Sequence, residues 1–179
     1  MSTKTVWTHG NALVVEDPGE YSSIRHRGWG TELNYNQPGE DDDAYRVCHV
    51  PLPTPATIDG VTPTLVKIFI LFETSPAVFV VRLDLWDGNS PVAQFSSHPE
   101  YEPPAGLWVG NGSHLTLDRN NQLPLPQPYE VSTGIGISFV CGVMADSPLQ
   151  LSVAAVGGEF VLPNPALPVR QKTAKRVGH

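Results

Sequence analysis

The chain has 179 residues, enough to bury roughly two-thirds of the surface its unfolded form exposes, so no metal or disulfide framework is required for stability. Its 18 prolines and 16 glycines, spread between apolar runs, exclude a helical protein and mark the reversals of an all-β one. The net charge of −7 sits on an acidic body, since residues 1–169 hold seven basic side chains against all 18 acidic ones, and such a body repels phosphate backbones and excludes nucleic acid as a partner.

Residues 3–8 (TKTVWT) and 12–16 (ALVVE) read as short strands around His9-Gly10-Asn11, where Gly and Asn admit a tight turn. Asp17-Pro18-Gly19 closes the second strand. Residues 22–35 follow as a polar strand or loop carrying Arg25, His26, Arg27 and Trp29. Gly28 and Gly30 flank that tryptophan and leave the backbone free to bend around a large ring. Residues 36–44 form an acidic loop containing Glu40, Asp41, Asp42 and Asp43. Residues 45–53 (YRVCHVPLP) form a strand ended by alternating prolines, which cannot donate to a ladder. A linker spans 54–63.

The stretch from Thr64 to Phe95 organises the rest. Two long runs rich in Val, Ile, Phe and Leu are divided by Thr74, Ser75 and Pro76, and a third follows Asp87-Gly88. This is the pattern of three consecutive strands. Residues 65–73 are apolar on both faces, as in a central strand. In 77–86, Phe79, Val81, Leu83 and Leu85 alternate with Val80, Arg82, Asp84 and Trp86, as in a sheet wet on one side. Asp87-Gly88-Asn89 makes the hairpin to 91–95.

Ser96 to Gly112 is the longest irregular segment, and loops of that length are commonly functional or floppy. HLTL at 114–117 reads as a short strand, and QLPLPQP as an extended proline segment. Residues 129–133 and 134–143 supply strands, with Ile135, Ile137, Phe139 and Cys141 on one face. Residues 149–156 and 158–162 give a last pair. The sum is nine or ten strands in one antiparallel β-sandwich of jelly-roll type over residues 1–162, with a small β-barrel as the alternative. Residues 163–179 form a Pro-rich, then basic tail with Arg170, Lys172, Lys175 and Arg176.

The usual chemical motifs are missing. Gly134-Ile135-Gly136 lacks a third glycine and opens a strand, so it fails as a dinucleotide fingerprint; there is no phosphate-binding Gly-Lys-Ser/Thr loop. The six histidines include no HxH pair, there is no CxxC, and the acidic loop lacks the alternation of a calcium loop, so neither metal nor cofactor is expected. There is no GxSxG elbow. Cys48 and His49 are neighbours on a strand and point to opposite faces, so both cysteines read as core thiols. No apolar signal core and no run of about 20 apolar residues is present; the expected compartment is the cytoplasm.

One cluster stands out. His9, Glu16, Arg25, His26 and Trp29 lie within some twenty residues, and carboxylate, imidazole and guanidinium groups near an aromatic ring suit a hydroxylated or anionic ligand. The structural alternative has Trp29 plugging the sandwich end and Arg25 paired with Glu16 or Asp17. Tyr101 and Trp108 on the long loop form a second aromatic pair, able to stack on a sugar or to cap the core. Trp7-Thr8-His9-Gly10-Asn11, Val14-Val15-Glu16, Gly28-Trp29-Gly30-Thr31, His49 to Pro55 and Gly134 to Phe139 resemble a family of small uncharacterised microbial all-β proteins. That resemblance covers most of residues 5–162 and implies a single β domain; it brings no activity and no catalytic residue. The leading expectation is a non-catalytic binding or interaction module for a small hydroxylated or hydrophobic ligand, with Trp29→Ala weakening binding. A small cyclase- or isomerase-type enzyme with a motif-less pocket and a self-assembling structural protein are the alternatives, and a protein partner or homo-oligomer stays open.

Overall fold

The computed structural model describes residues 2–39, 45–55, 57, 62–96, 112–144 and 148–162. Among these, β1 (Ser2–His9), β3 (Tyr21–Arg27), β4 (Gly30–Tyr35), β6 (Thr64–Thr74), β9 (Ser113–His114), β10 (Gln122–Glu130) and β12 (Gln150–Leu162) form one antiparallel sheet. The other sheet holds β2 (Val14–Val15), β5 (Tyr45–Leu52), β7 (Val78–Asp87), β8 (Ser90–Ser96) and β11 (Ile135–Val143). The strand orders are β10-β6-β12-β4-β3 and β2-β5-β11-β7-β8. In the first sheet β1 flanks the distal part of β12, and β9 flanks the end of β6. Two separate sheets sharing one core are the jelly-roll-like sandwich, not the barrel. No helix among the described residues is long and apolar enough to cross a membrane.

The core follows from alternation interrupted by bulges. β6 is central, and its Ile68, Ile70 and Phe72 are buried against Leu83, Leu85, Ile137 and Phe139 of the opposite sheet's strands in one apolar cluster. An extra residue at Val66 offsets the ladder with β12, so Leu65 also turns inward. The expected split of β7 fails for the same reason. A bulge at Val81 reverses the alternation, so Val78 and Val80 join Leu83 and Leu85 in the core, and Val80 is not on the wet face.

Five other expectations are revised. Residues 3–8 and 12–16 are not a hairpin: a 3-10 turn at Gly10–Ala12 carries the chain from the seven-stranded sheet to the five-stranded one. The polar segment 22–35 is the β3–β4 hairpin, turning at Gly28-Trp29. The proline segment is part of β10, an edge strand that pairs with β6 at both ends and slips register between Pro124 and Tyr129, where prolines can offer no ladder donors. The last pair is a single strand, β12, continuous through Gly157-Gly158. Of HLTL only His114 lies in a strand, β9. Cys48 and Cys141 are buried and unpaired, and burial pushes the Cys141 thiol up to about 12.

Candidate functional site

The outer face of the five-stranded sheet carries two open depressions and a set of hydrogen-bonded polar side chains. Trp86 projects from the end of β7 and remains 36% exposed. On the neighbouring strand β11, Gly136 pairs with Trp86 on one side and with Pro51 of β5 on the other. A Cβ added at Gly136 would meet nothing within 4 Å, so the sheet beside the indole is bare backbone. The next row of the sheet runs Val14, His49, Ser138, Asp84, Gln94, one residue from each strand.

Two side-chain pairs in that row are hydrogen-bonded, His49 with Ser138 and Gln94 with Asp84. His49 Nδ1 and Ser138 Oγ lie 2.9 Å apart. Gln94 Nε2 donates to Asp84 Oδ1 at 2.8 Å, and Arg82 Nε donates to Asp84 Oδ2 at 3.0 Å. Asp84 is thereby compensated in charge, while Arg82 has two further nitrogens, Gln94 its carbonyl, and His49 its second ring nitrogen for a ligand. Two open depressions meet at Trp86. One, of about 460 Å³, is bounded by Arg82, Asp84, Pro91, Val92 and Gln94. The other, of about 400 Å³, is bounded by Val14, His49, Pro51, Gly136 and Ser138. A bulge in β8, where Val92 is the extra residue between the Leu85–Ala93 and Trp86–Pro91 pairs, re-aims the edge beside the first depression.

Asp87, the residue after Trp86, fixes this end of the sheet. The residue is 3% exposed, and its carboxylate accepts from the amides of Ser132, Thr133 and Gly134 at 2.7–2.8 Å, and from the hydroxyls of Ser132 and Tyr129 at 2.7 and 3.2 Å. Burial opposes its ionisation, but the Gly134 and Ser132 amides, the Ser132 hydroxyl and the Thr133 amide outweigh burial and hold the carboxyl well below the usual carboxylate range. The loop entering β11 is thus tied to the strand that carries Trp86. Gly88 turns the chain next to it with φ +59°, a conformation that suits glycine.

The residues singled out from the sequence divide into three groups. His9, Asn11 and His26 meet at the seven-stranded sheet: the Asn11 amide donates to His9 Nδ1 at 3.3 Å, Asn11 Nδ2 donates to Arg27 O at 2.9 Å, and His26 Nδ1 lies 2.8 Å from Thr31 Oγ1. Thr31 in turn donates to Asn11 Oδ1 at 3.4 Å. Arg25 pairs with Glu32, its cross-strand partner, at 3.5 Å, and not with Glu16 or Asp17; Arg27 reaches the same carboxylate at 3.5 Å. Trp29 is 48% exposed at the tip of the β3–β4 turn and does not plug the sandwich. Glu16 follows β2 and places its amide on Val47 O, in the other sheet. Tyr101, Trp108, Glu40, the three adjacent aspartates and the basic tail lie outside the described residues. Among the described residues, no three His, Cys, Asp or Glu side chains gather as metal ligands.

The Trp86 face is not among the sequence candidates, although its residue pattern is visible there. Arg82, Asp84 and Trp86 share the wet face of β7, and once Ile135, Ile137 and Phe139 face inward, Gly136 and Ser138 must face out. What linear sequence lacks is the β5–β11–β7 adjacency that sets these residues, up to 89 positions apart in the His49–Ser138 bond, side by side.

No curated protein matches the chain. Among solved structures it is similar to the carbohydrate-binding module CBM36 in complex with calcium and xylotriose, at 14% identity over 87% of this chain and 98% of that one, with a TM-score of 0.38. It is also similar to the CBM36-1 domain of a multidomain xylanase from the hindgut metagenome of Trinervitermes trinervoides, at 9% identity over 93% and 100% of the two chains, with a TM-score of 0.35. At such scores the likeness is no guide to what this chain binds. A family model matches residues 1–101, taking in the phrases from Trp7 to Pro55, and the chain therefore belongs to the family of unknown function DUF6623.

Proposed function

We propose that the protein is a non-catalytic binding module for a hydroxylated, sugar-like ligand held on the outer face of the five-stranded sheet. The observation that carries this reading is the juxtaposition of an exposed indole, a side-chain-free patch at Gly136 and two hydrogen-bonded polar pairs in the next row. The C–H face of a pyranose ring is apolar and its rim is hydroxylated. An indole with donors and acceptors alongside satisfies both halves of that ligand. The compensated Asp84 disfavours a strongly charged ligand and suits a neutral one.

The test is affinity electrophoresis and calorimetry against a panel of neutral glucans, xylans and mannans. Trp86→Ala is expected to weaken binding at this face about fivefold or more, in line with the ~1 kcal/mol or more that one stacked ring supplies, while Trp29→Ala leaves it unchanged. An equal loss in the Trp29 variant with none in the Trp86 variant would move the site to the β3–β4 turn. Failure of the wild-type chain to bind any glycan would overturn the reading.

A further inference from the structure

Besides Trp29 at its hairpin tip, the opposite sheet exposes Trp7 in a different setting. Trp7 of β1 pairs with Gly157 of β12, which pairs with Phe69 of β6, which pairs with Gln122 of β10. Because Gly157 has no side chain, the indole lies over the backbone: a Cβ at that position would come within 2.7–3.0 Å of the Trp7 ring. The indole also stacks on Phe69, with ring centroids 5.4 Å apart and planes inclined by 24°. One indole face is thus occupied, and the ring is still 40% exposed.

The rows on either side supply polar groups. Thr5, Glu159 and Lys67 stand in one adjacent row, with the Lys67–Glu159 pair at 3.9 Å and the ammonium 5.6 Å from the Phe69 centroid. His9, Ala155 and the half-buried Leu71 stand in the other row, where His9 is the polar member. The result is one partly exposed indole with Thr5 and the Lys67–Glu159 ion pair on one side and His9 on the other. A protein partner or a lipid surface needs a broad apolar patch. A single ring with a polar border is the size and chemistry of one sugar unit lying flat.

We propose that Trp7 forms a second glycan-binding platform, so that the module is bivalent. It shares its ligand class with the Trp86 reading but rests on separate residues. The two indoles lie on opposite outer faces of a sandwich whose sheets are spaced by about 10 Å, with side chains added on both sides. One sugar unit cannot reach both, so two bound chains are bridged, and avidity on a polymer exceeds either single-site affinity.

The experiment is an ¹⁵N-correlated spectrum of the unmutated protein titrated with cellohexaose, xylohexaose and mannohexaose, following the indole N–H signals of all four tryptophans. With the binding hexamer, both the Trp7 and Trp86 signals are expected to shift and saturate, with two ligands bound per chain by calorimetry. In Trp86→Ala the Trp7 response persists with one ligand per chain. Movement of Trp86 alone overturns the second platform and leaves the cleft standing. Movement of Trp7 alone supports the platform and removes the cleft, and no movement of either removes both.

Discussion

At the scale of single residues, Asp87 is the most constrained polar group described. Five donors converge on one carboxylate, and hydrogen bonds to a buried charge contribute far more than neutral ones. Asp87→Asn keeps the shape but turns an amide donor toward backbone donors, and is expected to cost about 3 kcal/mol in urea unfolding. The sign of the pH effect follows from the lowered folded-state value. The unfolded chain takes up the proton first, so the stabilisation is complete above the ordinary carboxylate value of about 4 and drains away as pH falls below it. Unfolding midpoints measured from about pH 7 to about pH 2.5 should therefore fall more steeply for the wild type than for the variant. Parallel profiles would show that Asp87 is not the group responsible.

At the scale of elements, β12 does the most joining. Its first residues pair with β4 through Val153 and its later ones with β1 from Ala155, and the change of partner falls at the offset around Ala154. Two glycines fit against this point. A Cβ at Gly10 would sit 1.9 Å from Val153 O, and one at Gly30, where φ is +153°, would sit 2.2 Å from the same oxygen. Gly30→Ala should destabilise by about 3 kcal/mol through combined strain and overlap, read as a lowered thermal midpoint, whereas Gly28→Ala, with nothing within 4 Å, should not. Little of this was legible beforehand. The apolar runs announced β6, β7 and β11 because burial writes itself as alternation. The bulges at Val66 and Val81 are invisible in that code, and they decide which way Leu65 and Val80 face. Gly157-Gly158 resembled a break because the reason for small residues there, the Trp7 ring on one side and Leu52 on the other, is tertiary.

At the scale of the whole molecule, two sheets expose two unlike indoles: Trp86 beside two open depressions, and Trp7 over Gly157 and Phe69. The N-terminal residues picked from sequence were chosen for proximity along the chain, and folding separated Glu16 from His9 and His26 by assigning them to different sheets. The residues of the Trp86 face are distant in sequence and meet only through strand order. The central claim, that a ligand lies over the bare backbone beside Trp86, is open to one direct measurement. Gly136→Val fills that patch where nothing stands within 4 Å of the new Cβ, and valine suits a strand, so the fold should be unharmed. Calorimetric titration of this variant with the glycan that the wild type binds is expected to show binding through the cleft abolished, at an unchanged or raised thermal midpoint. Full wild-type binding by the folded variant would contradict the account.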